Sequence, residues 1–152
     1  MNSDTIKDLL IFVAALDLSD AKSAKQQLDT AFPFESEQVQ QWGELMRAGV
    51  ADGSLCGNGK APMQYSRIFK NSEETHNLSC DAVLMDGAGP NHIHPQGEVD
   101  LCFAVDGEPR FDGNEPGWTV YAAGSQHIPT VKGGRMLILY LLPDGAFEFV
   151  KG

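Results

Sequence analysis

The pattern of apolar and polar residues changes near residue 60 of the chain. Before that point, apolar residues recur every three or four positions, which is the spacing of one helix face. Ser3 and Ser36 are suitable N-caps for the first and third helices. The second helix is predicted to start near Ser19-Asp20, and Pro33 ends it. Residues 1–52 are therefore predicted to form a helical N-terminal segment. We expect its apolar stripes to cover the rest of the fold or to contact a second copy of the chain.

After residue 60 the pattern becomes one of short alternating segments separated by turns, which is typical of β-strands. Strands are predicted at 64–70, 77–85, 92–94, 98–105, 117–123, 135–142 and 146–150. Asp106-Gly107 is predicted to be a hairpin turn, because Asp-Gly favours the tight turns of hairpins, and a further turn is predicted at Asp112-Gly113-Asn114. Many short antiparallel strands indicate a mostly β fold, either a sandwich or a jelly-roll barrel. A chain of 152 residues is expected to form a single domain, with the barrel at 63–150.

Composition narrows the partners that the chain can have. Its formal net charge of −10 disfavours binding to nucleic acid or to an anionic membrane surface. The apolar run at 9–16 is too short to span a bilayer, and the N-terminus lacks the features of a signal peptide. The three cysteines are odd in number and widely spaced, which indicates reduced thiols. We therefore predict a cytoplasmic location.

Three of the four histidines lie in two turn-bounded segments that share a similar pattern. His92 and His94 are two residues apart, so on a strand both side chains point to the same face. Pro95, Gln96 and Gly97 suit a turn, after which the returning strand can bring Glu98 beside the histidines. His127 lies in the second segment and completes a set of three nitrogens and one oxygen. Imidazole and carboxylate together suit Fe, Mn, Zn, Ni or Co, so we predict one divalent metal ion bound by these four residues.

A single histidine on a strand is more often a surface or core residue than a ligand, and only the concentration of these three favours a metal site. His76 lies outside these two segments and is predicted to be an exposed loop residue.

The same residues carry a resemblance to the cupin superfamily. The segment from Gly87 to Glu98 resembles the first cupin motif, and Gly124-Ser-Gln-His127 resembles the core of the second. The chain departs from the motifs in a longer spacing between Glu98 and Gly107 and in Ala122, where the second motif has proline. Neither departure affects a ligand position. The resemblance implies a cupin-type jelly-roll β-barrel.

Strand alternation indicates which residues line the barrel beside the predicted metal. If Glu98 points inward, Asp100 and Cys102 do too, while Val99, Leu101 and Phe103 point outward. A buried carboxylate needs a partner or a proton, so Asp100 is a candidate catalytic acid or base, or else the partner of a neighbouring polar residue.

Other residues are candidates for contacts to a substrate. An arginine can bind a carboxylate through two parallel hydrogen bonds; the candidates are Arg67, Arg110 and Arg135, of which Arg67 is preferred, and each is otherwise a surface residue. An aromatic side chain can stack on a ring or simply pack in the core; the candidates are Trp118, Tyr121 and Phe111, of which Trp118 and Tyr121 are preferred.

Longer segments resemble the small bacterial 4-hydroxylaminobenzoate lyases. These segments are 92–101, 110–113, 117–121, 124–131 and 140–149. The resemblance implies conversion of 4-hydroxylaminobenzoate, a small aromatic carboxylate, into 3,4-dihydroxybenzoate and ammonia, a step in nitroaromatic breakdown. The reaction balances with water alone, so no external oxidant is needed, and a divalent metal would supply Lewis-acid chemistry.

Two other functions agree with the same ligand set. One is a non-haem iron cupin dioxygenase acting on a small aromatic acid, and the other is a cupin that binds a small ligand without turning it over. Because a barrel of this size is not expected to cover all the helical stripes, we also predict a homodimer.

Overall fold

The computed structural model describes residues 1–150 and is mostly β, with the helices confined to the N-terminal segment. The helices are α1 (Lys7–Ala14), α2 (Ala21–Ala31) and α3 (Glu37–Asp52). The strands are β1 (Asn58–Lys60), β2 (Met63–Phe69), β3 (Leu78–Met85), β4 (His92–His94), β5 (Glu98–Phe111), β6 (Gly117–Tyr121), β7 (Ser125–His127), β8 (Val131–Pro143) and β9 (Glu148–Phe149). The alternating pattern predicted seven of these strands, and the very short β1 and β7 were not predicted.

Local capping explains where the helices begin. The side chains of Asp20 and Ser36 accept hydrogen bonds from backbone N–H groups of the first turns of α2 and α3. The cap at Ser36 was predicted, and α2 starts where the sequence indicated. The first helix differs from the prediction, because its cap is Asn2 rather than Ser3. The side chain of Asn2 accepts a hydrogen bond from the backbone N–H of Thr5, and the side chain of Thr5 accepts one from the backbone N–H of Asn2. This pair of hydrogen bonds caps a short 3₁₀ turn that leads into α1.

Two antiparallel sheets build the β part of the fold. The larger sheet has the strand order β1-β2-β3-β8-β5-β6 and the smaller sheet has the order β7-β4-β9. The sheets face each other, since side chains of β4 and β7 meet a side chain of β5 in the space between them. The predicted cupin jelly-roll is confirmed, with two facing sheets that do not close into one continuous hydrogen-bonded barrel.

The prediction of a hairpin at Asp106-Gly107 is wrong. Strand β5 continues through these residues to Phe111, and the chain reverses at the next turn signal, 112–114. The pairing of β5 with β8 shifts register around Gly107, which has a φ of +67° and lies against the backbone of Gly133. Because an Asp-Gly pair supplies a positive φ equally well to a turn and to a bulge, the dipeptide alone did not distinguish the two.

The two faces of the large sheet belong to two different clusters of buried residues. The outer cluster joins the helices to outward side chains of the sheet, including Leu101, Phe103 and Leu139. Helix α3 approaches closely at Gly43, where a Cβ atom would lie 2.7 Å from the ring of Phe103. The inner cluster lies between the sheets and includes Cys102. The predicted alternation along β5 is therefore confirmed.

Most of the apolar side chains of the helices are buried against the outer face of the large sheet. Ile11 and Leu45 remain exposed, at 47% and 45%, so one chain covers most of the helical stripes and the homodimer stays a prediction. Cys56, Cys80 and Cys102 are all free and buried. His76 is exposed in a loop, as predicted. Within residues 1–150, no helix is long and apolar enough to cross a membrane.

Candidate metal centre

Four side chains predicted from the sequence to form one site meet between the two sheets. His92 and His94 point inward from β4, and His127 lies directly opposite His92 on the neighbouring strand β7. Glu98, the first residue of β5, approaches from the large sheet. One ligand atom from each of the four residues lies within 4.8 Å of the other three.

The three imidazole rings converge through their Nε2 atoms. The Nε2 atom of His94 is 2.7 Å from that of His92 and 3.1 Å from that of His127. The carboxylate oxygens of Glu98 lie 3.6 Å from the Nε2 of His92, 3.3 Å from that of His94 and 3.7 Å from that of His127. Two nitrogen ligands at right angles on one ion, each about 2.1 Å from it, lie about 3 Å apart. The observed separations are close to that value.

The other ring nitrogen of each histidine has an acceptor of its own. Nδ1 of His92 is 3.1 Å from the carbonyl oxygen of Pro90, and Nδ1 of His94 is 3.1 Å from the hydroxyl of Ser125. Nδ1 of His127 is 2.7 Å from a carboxylate oxygen of Asp112. Acceptors in these positions favour hydrogen on Nδ1 and leave the three Nε2 atoms facing one another. Neutral imidazoles in this arrangement would direct three lone pairs at one point, which is favourable only with a cation between them, and the donor set therefore fits a divalent metal.

Glu98 is almost completely buried, with 1% of its surface exposed. Burial alone would raise the pKa of its carboxyl group, but the nearby His127, His92 and His94 outweigh burial and hold that pKa well below the usual value. One of its oxygens, Oε2, has no hydrogen-bond partner within residues 1–150. A negative charge with an unused lone pair is therefore directed at the three imidazole nitrogens.

Asp112 connects the candidate centre to Tyr121. Its Oδ2 atom accepts hydrogen bonds from His127 Nδ1 and from the hydroxyl of Tyr121, while its Oδ1 accepts the backbone N–H of Thr130 at 2.8 Å. Burial opposes the charge of this carboxylate, but the three hydrogen bonds outweigh it and lower the pKa of Asp112. Burial likewise disfavours the charged form of His127, and yet hydrogen bonds to Asp112 and Glu98 raise its pKa to about 9.

Tyr121 forms a wall of the space beside the histidines. It lies opposite Glu98 in the sheet, and its ring centroid is 4.0 Å from that of His127 and 5.3 Å from that of His94. Phe111 lies behind it, with ring centroids 6.4 Å apart. Tyr121 therefore borders the candidate centre, whereas Phe111 is fully buried in the inner cluster, which is the core packing that the sequence analysis gave as its alternative.

Asp100 is fully buried on the same face as Glu98, two residues further along β5. Neither side-chain oxygen of Asp100 has a hydrogen-bond partner among the described residues. Burial and the negative charge of Glu98 raise the pKa of Asp100 well above its usual value. The shift favours the protonated carboxylic acid, which lies beside Glu98 as a possible acceptor of its hydrogen.

Arg67 lies at the end of a row of side chains on the inner face of the large sheet. It is opposite Asp81, which is opposite Tyr140, which in turn is opposite Asp100. The Nε atom of Arg67 donates to Asp81 at 2.8 Å, and 44% of the arginine side chain is exposed. Its two terminal nitrogens have no hydrogen-bond partner within the described part of the chain. They are therefore free to bind an anion, at a position three strands away from Asp100 across the sheet.

Trp118 lies on the opposite face of the sheet from the histidines. It pairs with Leu101, packs in the outer cluster and donates its indole N–H to the carbonyl oxygen of Phe32 at 2.8 Å. This placement argues against the expected substrate contact. Arg110 and Arg135 bind Glu115 and Asp106 on exposed surface, away from the four converging side chains.

Sequence reasoning missed two residues beside the candidate centre. Asp112 was recognised only as part of a turn, and hydrogen bonds to Thr130 hold that turn where its carboxylate reaches His127. Phe147, in the segment before β9, packs against His92 with ring centroids 6.3 Å apart. Both residues lie in segments that carry the resemblance to the lyases, and that was the only signal available for them in the sequence.

A sequence model of the 4-hydroxylaminobenzoate lyase family (PnbB) matches residues 4–149. The chain belongs to this family. A 4-hydroxylaminobenzoate lyase from Pseudomonas putida is 31% identical over 133 residues, covering 76% of each chain. One from Nocardioides sp. (strain LMS-CY) is 30% identical over 132 residues, covering 80% of this chain and 78% of the relative. Membership of the family identifies the chain as a lyase, and the match includes every residue of the candidate centre.

Among solved structures, the chain is similar to an RmlC-like cupin protein from Ralstonia eutropha JMP134. The two share 12% sequence identity with a TM-score of 0.46, over 64% of this chain and 65% of that one.

Proposed function

We propose that this protein is a metal-dependent lyase that converts 4-hydroxylaminobenzoate into 3,4-dihydroxybenzoate and ammonia. The observation that carries the proposal is the family match over residues 4–149, because the curated relatives are named for this substrate. The convergence of three histidines and one glutamate in the matched region supports the metal dependence. His92, His94, Glu98 and His127 would hold one ion of Fe, Mn, Zn, Ni or Co, which would act as a Lewis acid.

The reaction needs three changes in the substrate, and the residues around the site suit them. The N–O bond breaks, an oxygen atom from water adds to a ring carbon, and the resulting imine is hydrolysed to release ammonia. Asp100 is proposed as the acid that protonates the departing hydroxyl group, because it is buried, faces the site and has a pKa raised above its usual value, which favours the protonated form. No redox cofactor is required, since substrate plus water balances both products.

Arg67 and Tyr121 are proposed to hold the substrate. The unpaired terminal nitrogens of Arg67 suit the carboxylate at one end of the molecule, and Tyr121 offers its ring beside His94 and His127 at the other. We do not include Trp118, because it lies on the far side of the sheet.

The test is an ammonia assay on the purified full chain, loaded in turn with each candidate metal. We expect ammonia and 3,4-dihydroxybenzoate in equal amounts, with no oxygen consumed. The control is His94→Ala, which removes a fully buried imidazole and should abolish both metal binding and turnover. Oxygen uptake in proportion to product would instead indicate the dioxygenase. Binding of the compound without release of ammonia would indicate a ligand-binding cupin.

A further inference from the structure

We propose that Asp112 is a positioning residue that sets the metal affinity of the centre through His127 and at the same time fixes Tyr121 beside it. The inference rests on the proposed function only for the metal centre, not for the substrate. The proposal is based on the observation that one oxygen, Asp112 Oδ2, accepts hydrogen bonds from both His127 and Tyr121.

The three histidines differ in the acceptor that each Nδ1 atom meets. His92 has a backbone carbonyl and His94 a hydroxyl, and both acceptors are neutral and 3.1 Å away. Only His127 has a carboxylate, at the shorter distance of 2.7 Å. A charged acceptor makes the opposite ring nitrogen a better electron donor and holds the ring in one orientation. His127 is therefore the imidazole whose ligand strength depends most on its outer partner.

The backbone holds Asp112 firmly in this position. Its Oδ1 accepts the N–H of Thr130 at 2.8 Å, and its own N–H donates to the carbonyl oxygen of Thr130 at the same distance. The residue has a φ of +49°, a conformation that aspartate and asparagine adopt more readily than most residues. The turn before β6 is thus tied to the chain after β7, and the carboxylate is fixed before any metal binds.

Tyr121 adds a second consequence to the same hydrogen-bonded unit. Its hydroxyl shares Asp112 Oδ2 with His127, and the two rings lie 4.0 Å apart at an interplanar angle of 31°. Any movement of the carboxylate therefore moves a candidate ligand and a wall of the pocket together.

The test compares variants of the metal-free full chain for their affinity for Co²⁺, measured by competition with a chromophoric chelator. Asp112→Asn keeps the shape and suits a positive φ but removes the charge, and we expect its affinity to fall about 10- to 100-fold. Two matched controls should change the affinity less than about threefold. Tyr121→Phe removes the other hydrogen bond to Oδ2, and Ser125→Ala removes the neutral acceptor of His94. The absorption spectrum of bound Co²⁺ should change in Asp112→Asn and stay as in the wild type in the two controls.

A second variant separates positioning from folding. Asp112→Gly accepts the same backbone conformation, so its metal-free thermal stability should be close to that of Asp112→Asn while its metal affinity is at least as low. Wild-type Co²⁺ affinity in Asp112→Asn would overturn the proposal. So would equal losses in Asp112→Asn and both controls, or unfolding of both Asp112 variants without metal, since each of these results would indicate a general structural role. The lyase reaction is not measured, so failure here would leave the proposed substrate untouched.

Discussion

Replacing Arg67 with glutamine should separate substrates that carry a carboxylate from those that do not. The arginine already donates its Nε hydrogen to Asp81, so only its terminal nitrogens can bind substrate. A charge-assisted contact contributes about 1.5–3 kcal/mol. Two terminal nitrogens could make two such contacts. Because 44% of the side chain is exposed and Asp81 offsets part of its charge, we expect the total loss to be that of one contact. At 1.4 kcal/mol per factor of ten, this is about a 10- to 100-fold fall in kcat/KM.

The assay compares 4-hydroxylaminobenzoate with hydroxylaminobenzene, which lacks the carboxylate, on wild type and Arg67→Gln. The wild type should prefer the acid by about 10- to 100-fold, and Arg67→Gln should lose most of this preference by slowing the acid alone. Arg110→Gln is the matched control, because Arg110 also pairs with a carboxylate but lies on exposed surface. It should leave both rates unchanged.

The position of Arg67 can be tested through its partner. Asp81→Asn removes the charge that holds the Nε atom, so the guanidinium should become less ordered and the preference for the acid should fall partway. The reasoning would be refuted if Arg67→Gln slowed both substrates equally, because a carboxylate contact cannot affect a compound without a carboxylate. Equal wild-type rates for the two compounds would also refute it.

Two further predictions concern the buried acid and the assembly. Asp100→Asn should keep its metal but lose about 10²- to 10⁴-fold in activity, the usual contribution of a general acid. In metal-free protein, the raised pKa of Asp100 means that the folded state keeps a proton that the unfolded state loses above about pH 4. The wild type should therefore lose up to about 1.4 kcal/mol of stability per pH unit relative to Asp100→Asn as pH rises above that value. Urea unfolding at pH 5, 6 and 7 measures this, and parallel curves for the two proteins would contradict it. Light scattering at micromolar concentration should give the mass of a homodimer, and a monomer mass would contradict that prediction.

Much of the candidate centre followed from short-range sequence patterns. His92 and His94 share a face because alternate residues of any strand do, and the same rule aligned Glu98 with Asp100 along β5. The start of α2 near Asp20 and the cap at Ser36 were also evident, since a capping side chain bonds a backbone group only a few residues away. These features depend on geometry within one element, and neighbouring residues are sufficient to specify it.

Other features depended on how separate strands pair, which no local pattern specifies. Trp118 was expected beside the substrate, but its pairing with Leu101 turns it toward the helices. Asp106-Gly107 suited a hairpin turn, yet the pairing of β5 with β8 continues through it. Asp112 meets His127 only because a turn and a distant strand are held together by hydrogen bonds to Thr130. Strand register is set by the sum of many long-range contacts, and it determines which face a side chain occupies and which residue lies opposite it. The sequence therefore determined the four converging side chains, whereas the tertiary structure decided which residues surround and support them.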